Sequence, residues 1–217
     1  MTWPAVCLAA LAAAAFPAAT AQVPEDRDGP AYYHATRVGD RLVYTAPGGH
    51  ELVRVVTAVA KKGEARVVSV GRLRSDGKVT PFSEFEVSTG GLVHLKQYAV
   101  RPTPDGKGGQ DLREVLEDRT PPPLVLKLPS APGLKWATPR GGPDLPTRYE
   151  ARGEETVKVP AGEFRAIPVD EFRGPPGRGE RPSRFWYARG VGAVKWETAG
   201  EGEVVLKSFT PGKDRAP

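Results

Sequence analysis

Glu154 to Phe172 reads EETVKVPAGEFRAIPVDEF, and Ser183 to Glu197 reads SRFWYARGVGAVKWE. Each half is a pair of short alternating runs folded about a turn. In the first, Val157 and Val159 alternate with Thr156 and Lys158 before Pro160-Ala161-Gly162 reverses the chain and Phe164 opens the return strand. Proline presets φ at such a turn and glycine accepts the conformation that follows. In the second, Phe185-Trp186-Tyr187 runs into Arg189-Gly190-Val191-Gly192, and Val194 and Trp196 continue one face beyond it. The stretch is therefore four antiparallel strands, and its most distinctive residues read as scaffold.

Working outward, the same grammar recurs. Alternating or apolar runs at Leu52 to Ala60, Ala65 to Leu73, Val79 to Ser88 and Leu92 to Val100 are separated by Lys61-Lys62-Gly63, Ser75-Asp76-Gly77 and Thr89-Gly90-Gly91. Such runs describe an antiparallel meander. Val53, Val55 and Val59 share one face, as do Val67 and Leu73, with Arg66, Arg72 and Lys96 on the other; the first face is expected to be core. Further strands are expected at Arg41 to Ala46, Leu124 to Leu128, Lys135-Trp136, Thr147 to Glu150 and Glu203 to Phe209. Asp111 to Asp118 carries Leu112, Val115 and Leu116 at helical spacing, and reads as a short helix or a strand end. The fold class is all-β with at most one or two short helices: a single antiparallel, strongly curved sheet forming a half-barrel or partly closed barrel. A sheet this long twists, and its concave side requires a cover of side chains, a second layer or a ligand.

Domain organisation follows from what flanks the strands. Ala5 to Phe16 is an apolar, alanine-rich segment ending in Ala19-Thr20-Ala21, which reads as a secretory signal over residues 1–21, although no Lys or Arg precedes it. Residues 22–30 read as a linker, 31–210 as one β domain and 211–217 as a disordered tail. The apolar segment is too short for a membrane span, and no later stretch approaches the ~20 residues needed. The single cysteine, Cys7, falls inside the signal, so the mature chain has no thiol for catalysis, metal binding or a disulfide. With 25 glycines and 23 prolines among 217 residues, the chain is built of many turns. Its net charge of +5 fits solubility and loose attraction to anions without specifying a partner.

Four motifs together resemble a group of uncharacterised exported bacterial β-proteins. They are Tyr32-Tyr33 with Val38-Gly39 and Tyr44, LKLPSAPGLKW over Leu126 to Trp136, VKVPAGEFRA over Val157 to Ala166, and WYARGVGAVK over Trp186 to Lys195. The group's first motif usually has an aromatic where Leu42 stands and Asn in place of Asp40. The resemblance, spanning Tyr32 to Phe209, implies an envelope or secreted protein with a curved, partly closed β-sheet, similar in outline to periplasmic lipoprotein-carrier half-barrels. It carries no catalytic residues over, and a lipid-carrier reading rests on fold analogy.

The chemistry-bearing residues are sparse. His34, His50 and His94 have no partner at ligand spacing, so no metal site and no cofactor are expected. There is no G-x-S-x-G, and no catalytic residue is assigned. Glu84 with Glu86, and the cluster of Glu154, Glu155, Glu163, Asp170 and Glu171, read as solvated faces unless two of them oppose across a cleft. Arg173, Arg178, Arg181 and Arg184 lie in a Gly/Pro insert, either as an anion-contacting loop or as a solvated one; without interleaved aromatics and in an exported chain, nucleic acid is not an expected partner. Trp136, Phe164, Phe185, Tyr187 and Trp196 are candidates for an apolar cleft, the alternative being ordinary core. Three functions stay open: a non-catalytic exported protein binding an apolar or amphipathic envelope ligand such as a lipid on its concave face, a structural module contacting another envelope protein through a filled core's edges, and a hydrolase with a dispersed site.

Overall fold

A computed structural model describes residues 32–102, 110–113, 121–138, 146–173 and 181–212; the side chains of 99–102, 110–113 and 181 lie outside that description. The expected signal, the linker and residues 213–217 of the tail fall outside it as well. Fifteen strands follow in chain order: β1 Arg41–Thr45, β2 Glu51–Lys62, β3 Ala65–Leu73, β4 Val79–Ser88, β5 Gly91–Gln97, β6 Ala99–Pro102, β7 Gln110–Arg113, β8 Leu124–Lys127, β9 Lys135–Thr138, β10 Thr147–Ala151, β11 Glu155–Val159, β12 Gly162–Arg173, β13 Arg181–Ala188, β14 Gly192–Thr198 and β15 Gly202–Thr210. The sole helical turn among the described residues is a 3₁₀ turn at Pro47–Gly49.

Thirteen of these strands form one antiparallel sheet in the order β8-β5-β4-β3-β2-β1-β15-β14-β13-β12-β10-β9, with β11 also pairing β12. β10 takes the C-terminal half of long β12 and β11 the N-terminal half. Two halves, β1 to β5 together with β8, and β9 to β15, are thus built largely from hairpins between chain neighbours and joined where β1 pairs β15, while β6 and β7 pair apart as a two-stranded ribbon. The sheet curls because it is repeatedly bulged: register slips occur in the pairs β1–β15, β2–β3, β3–β4, β4–β5, β5–β8 and β13–β14, and each bulge adds twist and bend. Its free edges, β8 and β9, meet through a side chain. Trp136 of β9 donates its indole N–H to the Leu124 carbonyl of β8 at 2.7 Å and stacks on Tyr149 at 5.3 Å. The sheet is nearly closed into a barrel, and one tryptophan spans the seam.

The core comprises the inward residues of this barrel, including fully buried Tyr44, Val56, Val68, Leu126, Val194 and Leu206. At one end the Tyr32–Ala35 segment lies across the turn that carries Arg189-Gly190-Val191. Gly190 N–H donates to Tyr32 O at 2.7 Å and Ala35 N–H to Val191 O at 3.2 Å. Buried Asp40 then clips the strand bundle, accepting the Arg37 and Gly212 backbone N–H groups, both at 2.8 Å. Gly212 therefore belongs to the folded unit although the sequence reading assigned it to the tail. It has to be glycine, because a Cβ there would stand 2.1 Å from Val38 O.

One reading is resolved and one corrected. Of the two alternatives for Asp111 to Asp118, the described part takes the strand and not the helix: Gln110–Arg113 is strand β7, paired with β6 with Leu112 opposite Val100 in the register. A lone helical turn is marginal without packing, whereas a neighbouring strand supplies a ladder at once. Residues 114–118 lie outside the described residues. The core face of the first hairpin is also the opposite one. Val56, Val68 and Val70 are buried, while Val53, Val55, Val67 and Leu73 are only half-covered. Val59 does pack on the core, because the bulge after Val56 shifts the alternation by one residue.

Candidate functional site

Inside the barrel the side chains do not fill the space. A cavity of about 240 Å³ remains, bounded by β1 to β5, β8, β10, β12, β13 and β14 and by the Tyr32–Ala35 end segment. Much of its wall is apolar: Leu42, Val70, Phe82, Phe85, Leu92, Val125, Phe185, Val191 and Ala193. The polar part of the lining is His34, Arg54, Ser83, His94, Gln97, Glu171 and Arg173.

Of the five aromatics expected in a cleft, the structure brings three to this cavity: Phe185, Tyr187 and Trp196. Trp136 stands at the seam, half-buried against Tyr149, and lines a shallow outer depression with Lys135, Arg148 and Phe172. Phe164 is buried opposite Val157 in the β11–β12 hairpin and does not line the cavity. The turn residues before Phe164 press on the barrel instead, with Ala161 N–H donating to Leu206 O at 3.0 Å.

The two insert arginines whose side chains are described, Arg173 and Arg184, stand on strands and engage carboxylates. Arg173 ends β12, enters the cavity wall and is paired with Glu171 at 2.6 Å. Arg184 belongs to β13 and, with Arg152, clamps buried Asp170, at 2.5 and 2.7 Å. Two guanidiniums on one carboxylate leave Asp170 below its usual range even against the desolvation that opposes them. Alternate residues of β12 thus point to opposite faces, Asp170 outward and Glu171 inward. Arg178 and the side chain of Arg181 lie outside the described residues.

Sequence reasoning missed Arg54. It sits in β2 on the same side as Val56, inside the barrel, with its guanidinium carbon 5.0 Å from the Tyr44 ring centre, 4.8 Å from Phe82 and 4.9 Å from Trp196. Tyr44, whose hydroxyl donates to Ala193 O at 3.0 Å, and Trp196 meet edge to face at 5.0 Å and so hold the box in shape. Burial pushes the guanidinium down from its ordinary value, yet arginine keeps its proton. The signal that could have found it is the lone cation in an otherwise apolar Leu52 to Val56.

The remaining polar lining is histidine, serine and Gln97, whose Nε2 donates to Phe82 O at 2.9 Å. His34 and His94 flank Phe85, with ring centres at 4.9 and 4.7 Å. His34 Nδ1 sits 2.7 Å from Ala35 O and donates to it. Burial, with Arg54 adding to it, pushes the His34 imidazole down to about 4 despite that bond. A histidine neutral in the fold but free to charge when unfolded draws protons to the unfolded chain first. Stability is therefore expected to fall as pH drops from about 6.5 toward about 4, by up to about 3 kcal/mol, and then to level off. Urea titrations between pH 7 and pH 4 test this. The wild-type loss should exceed that of His34→Phe by that amount, and equal losses would remove His34 as the cause.

Catalytic constellations are not assembled among the described residues. Ser83 Oγ is buried in the cavity wall without a hydrogen-bond partner, so it is coupled to neither histidine, and Glu171 is engaged by Arg173. No group of three or more His, Cys, Asp or Glu side chains is placed to hold a metal among those residues. No helix there is long and apolar enough to cross a membrane.

No family model matches the chain, and no curated protein does. Among solved structures it is similar to a candidate exported protein with YmcC-like fold from Bacteroides fragilis NCTC 9343, at 15% identity over 83% of this chain and 99% of that one, with a TM-score of 0.49. It is also similar to a candidate lipoprotein from Parabacteroides distasonis ATCC 8503, at 11% identity over 84% of this chain and all of that one, TM-score 0.47.

Proposed function

We propose that this chain is an exported, non-catalytic β-barrel that holds a small amphipathic ligand inside the barrel, in the periplasm or outside the cell. The observation that carries the reading is the cavity of about 240 Å³, walled by apolar side chains and three of the expected aromatics within an otherwise packed interior. A concave space inside the sheet, with an apolar wall and a set of convergent polar groups, is what a small amphipathic molecule would occupy. Export is supported by the apolar segment and the Ala19-Thr20-Ala21 site. A structural module with a filled core is the weaker reading because the interior is not filled.

Size limits the ligand. At about 30 Å³ for each water-sized unit, the cavity has room for roughly eight such units, about one for each carbon of octanol, which is a suitable neutral probe. Octanol should shift the tryptophan emission saturably, through Trp196, with Kd in roughly the micromolar to millimolar range. Ala193→Leu, which builds side chain into the cavity, should abolish that shift while the far-UV circular dichroism stays that of the parent. No saturable shift, or one that Ala193→Leu leaves intact, would refute the reading.

A further inference from the structure

Arg54 is a cation inside the barrel without an anion. Among the described residues its guanidinium makes no ion pair and no hydrogen bond; its recorded contacts are the faces of Tyr44, Phe82 and Trp196. Ring faces offset part of the charge, at about 0.5–2 kcal/mol each, but they do not accept from a guanidinium's five N–H donors as a carboxylate oxygen does. The other cavity arginine differs. Arg173 has Glu171 at 2.6 Å, so that pair is neutral and, among the arginines and carboxylates of the lining, Arg54 is left as the uncompensated positive charge.

Nothing in the chain's architecture requires a cation at that point. Val56, two residues along the same face, is a fully buried core residue, and an apolar side chain at 54 would continue it. A second observation comes from the same side of the sheet, two strands away on β4. Ser83 is 1% exposed, lines the same cavity one residue beyond Phe82, and its hydroxyl has no partner. Native interiors rarely leave such a group unsatisfied, because doing so costs about 1–3 kcal/mol. A guanidinium with free donors and an idle hydroxyl in one apolar cavity are together what an anionic oxygen would satisfy.

Resting on the cavity-binding reading above, we infer that the ligand is an anionic amphiphile, a medium-chain carboxylate, whose head group is taken by Arg54 with Ser83 and whose chain lies along the apolar wall. The planar fork of arginine matches the two oxygens of a carboxylate, and the exclusion of water strengthens the contact. The aromatic box fixes the guanidinium plane, so little freedom is lost when the head group arrives.

Octanoate against octanol tests this, by titration calorimetry at pH 7.5. Octanoate is expected to bind about tenfold or more tighter than octanol, and acetate, which has the head group without the chain, should not bind measurably. Arg54→Met should reduce the preference to within about threefold while octanol binding persists; Arg54→Lys should keep part of it. Should the box fail to fold without arginine, the wild type still decides: at equal concentration octanoate must raise Tm more than octanol does. Equal affinities for octanoate and octanol overturn the head-group assignment and leave the cavity reading standing. Failure of both probes overturns the cavity reading itself.

Discussion

Trp136→Ala is expected to lower the unfolding free energy by about 3 kcal/mol. Three losses combine: the stacked contact with Tyr149 at 5.3 Å, the indole N–H bond to Leu124 O at 2.7 Å, and the apolar area of a half-buried tryptophan. The effect should also be localised. β8 is a four-residue edge strand with ladder partners only on β5, so removing the side chain that ties it to β9 should let it fray before the rest of the sheet. Hydrogen exchange should report this as faster exchange of the His94 and Leu128 amides, which donate to Pro123 O and Gly90 O respectively. Trp136→Phe keeps a ring against Tyr149 and gives up the N–H, so it should cost about 1 kcal/mol. If alanine and phenylalanine cost the same, the stacking contributes nothing and the seam is held by the hydrogen bond alone.

The other side of β8 yields the second large effect. Gly91, at φ +140°, pairs with Lys127, and a Cβ built there would stand 2.0 Å from Leu126 O and 3.1 Å from Leu124 Cδ1. No rotamer relieves a clash with a carbonyl oxygen; the strand itself has to move. Gly91→Ala should therefore cost about 3 kcal/mol or more, from strain at a backbone angle that side chains rarely adopt and from the displaced ladder. Gly90→Ala is the control, since its Cβ would meet nothing nearer than Ser88 Oγ at 3.5 Å. Thermal melts of the two variants should differ by many degrees; a Gly91→Ala melt matching that of Gly90→Ala would mean that β8 yields freely.

The hairpins were legible because each carries two independent signals that agree, period-two alternation and a turn of the right chemistry. Val157 to Phe164 folds as the sequence implies, with Val159 opposite Gly162 across a two-residue turn. The meander from β2 to β5 follows its expected runs to within a few residues. Facing was harder. Leu52 to Val56 is apolar in both phases apart from Arg54, so the pattern itself favours placing the cation outside. The structure puts it inside, and the bulge after Val56 then makes Val59, of the opposite phase, a core residue. Bulges break parity without leaving a mark in composition, and successive strand pairs from β15–β1 to β5–β8, apart from β1–β2, each carry a register slip. The aromatics divided for a related reason. Phe185, Tyr187 and Trp196 reach the cavity, but whether Trp136 closes a seam or lines a cleft depends on which strand ends adjacent to which, and that is settled by the ring's circumference and not by any local run.

The pairing of β1 with β15 sets an order of events. Each half of the sheet grows by hairpins between neighbours in the chain, and these close quickly because their loops are short. The ladder from Arg41 opposite Thr210 to Thr45 opposite Val205 can form only after the final strand has arrived. For a polypeptide delivered N-terminus first, β1 waits with one edge unpaired through nearly the whole of synthesis or translocation. Until then the cavity does not exist, because its wall draws on both halves. The joining of the two halves and the formation of the cavity are thus one late step, and anything that occupies the cavity would act on that step.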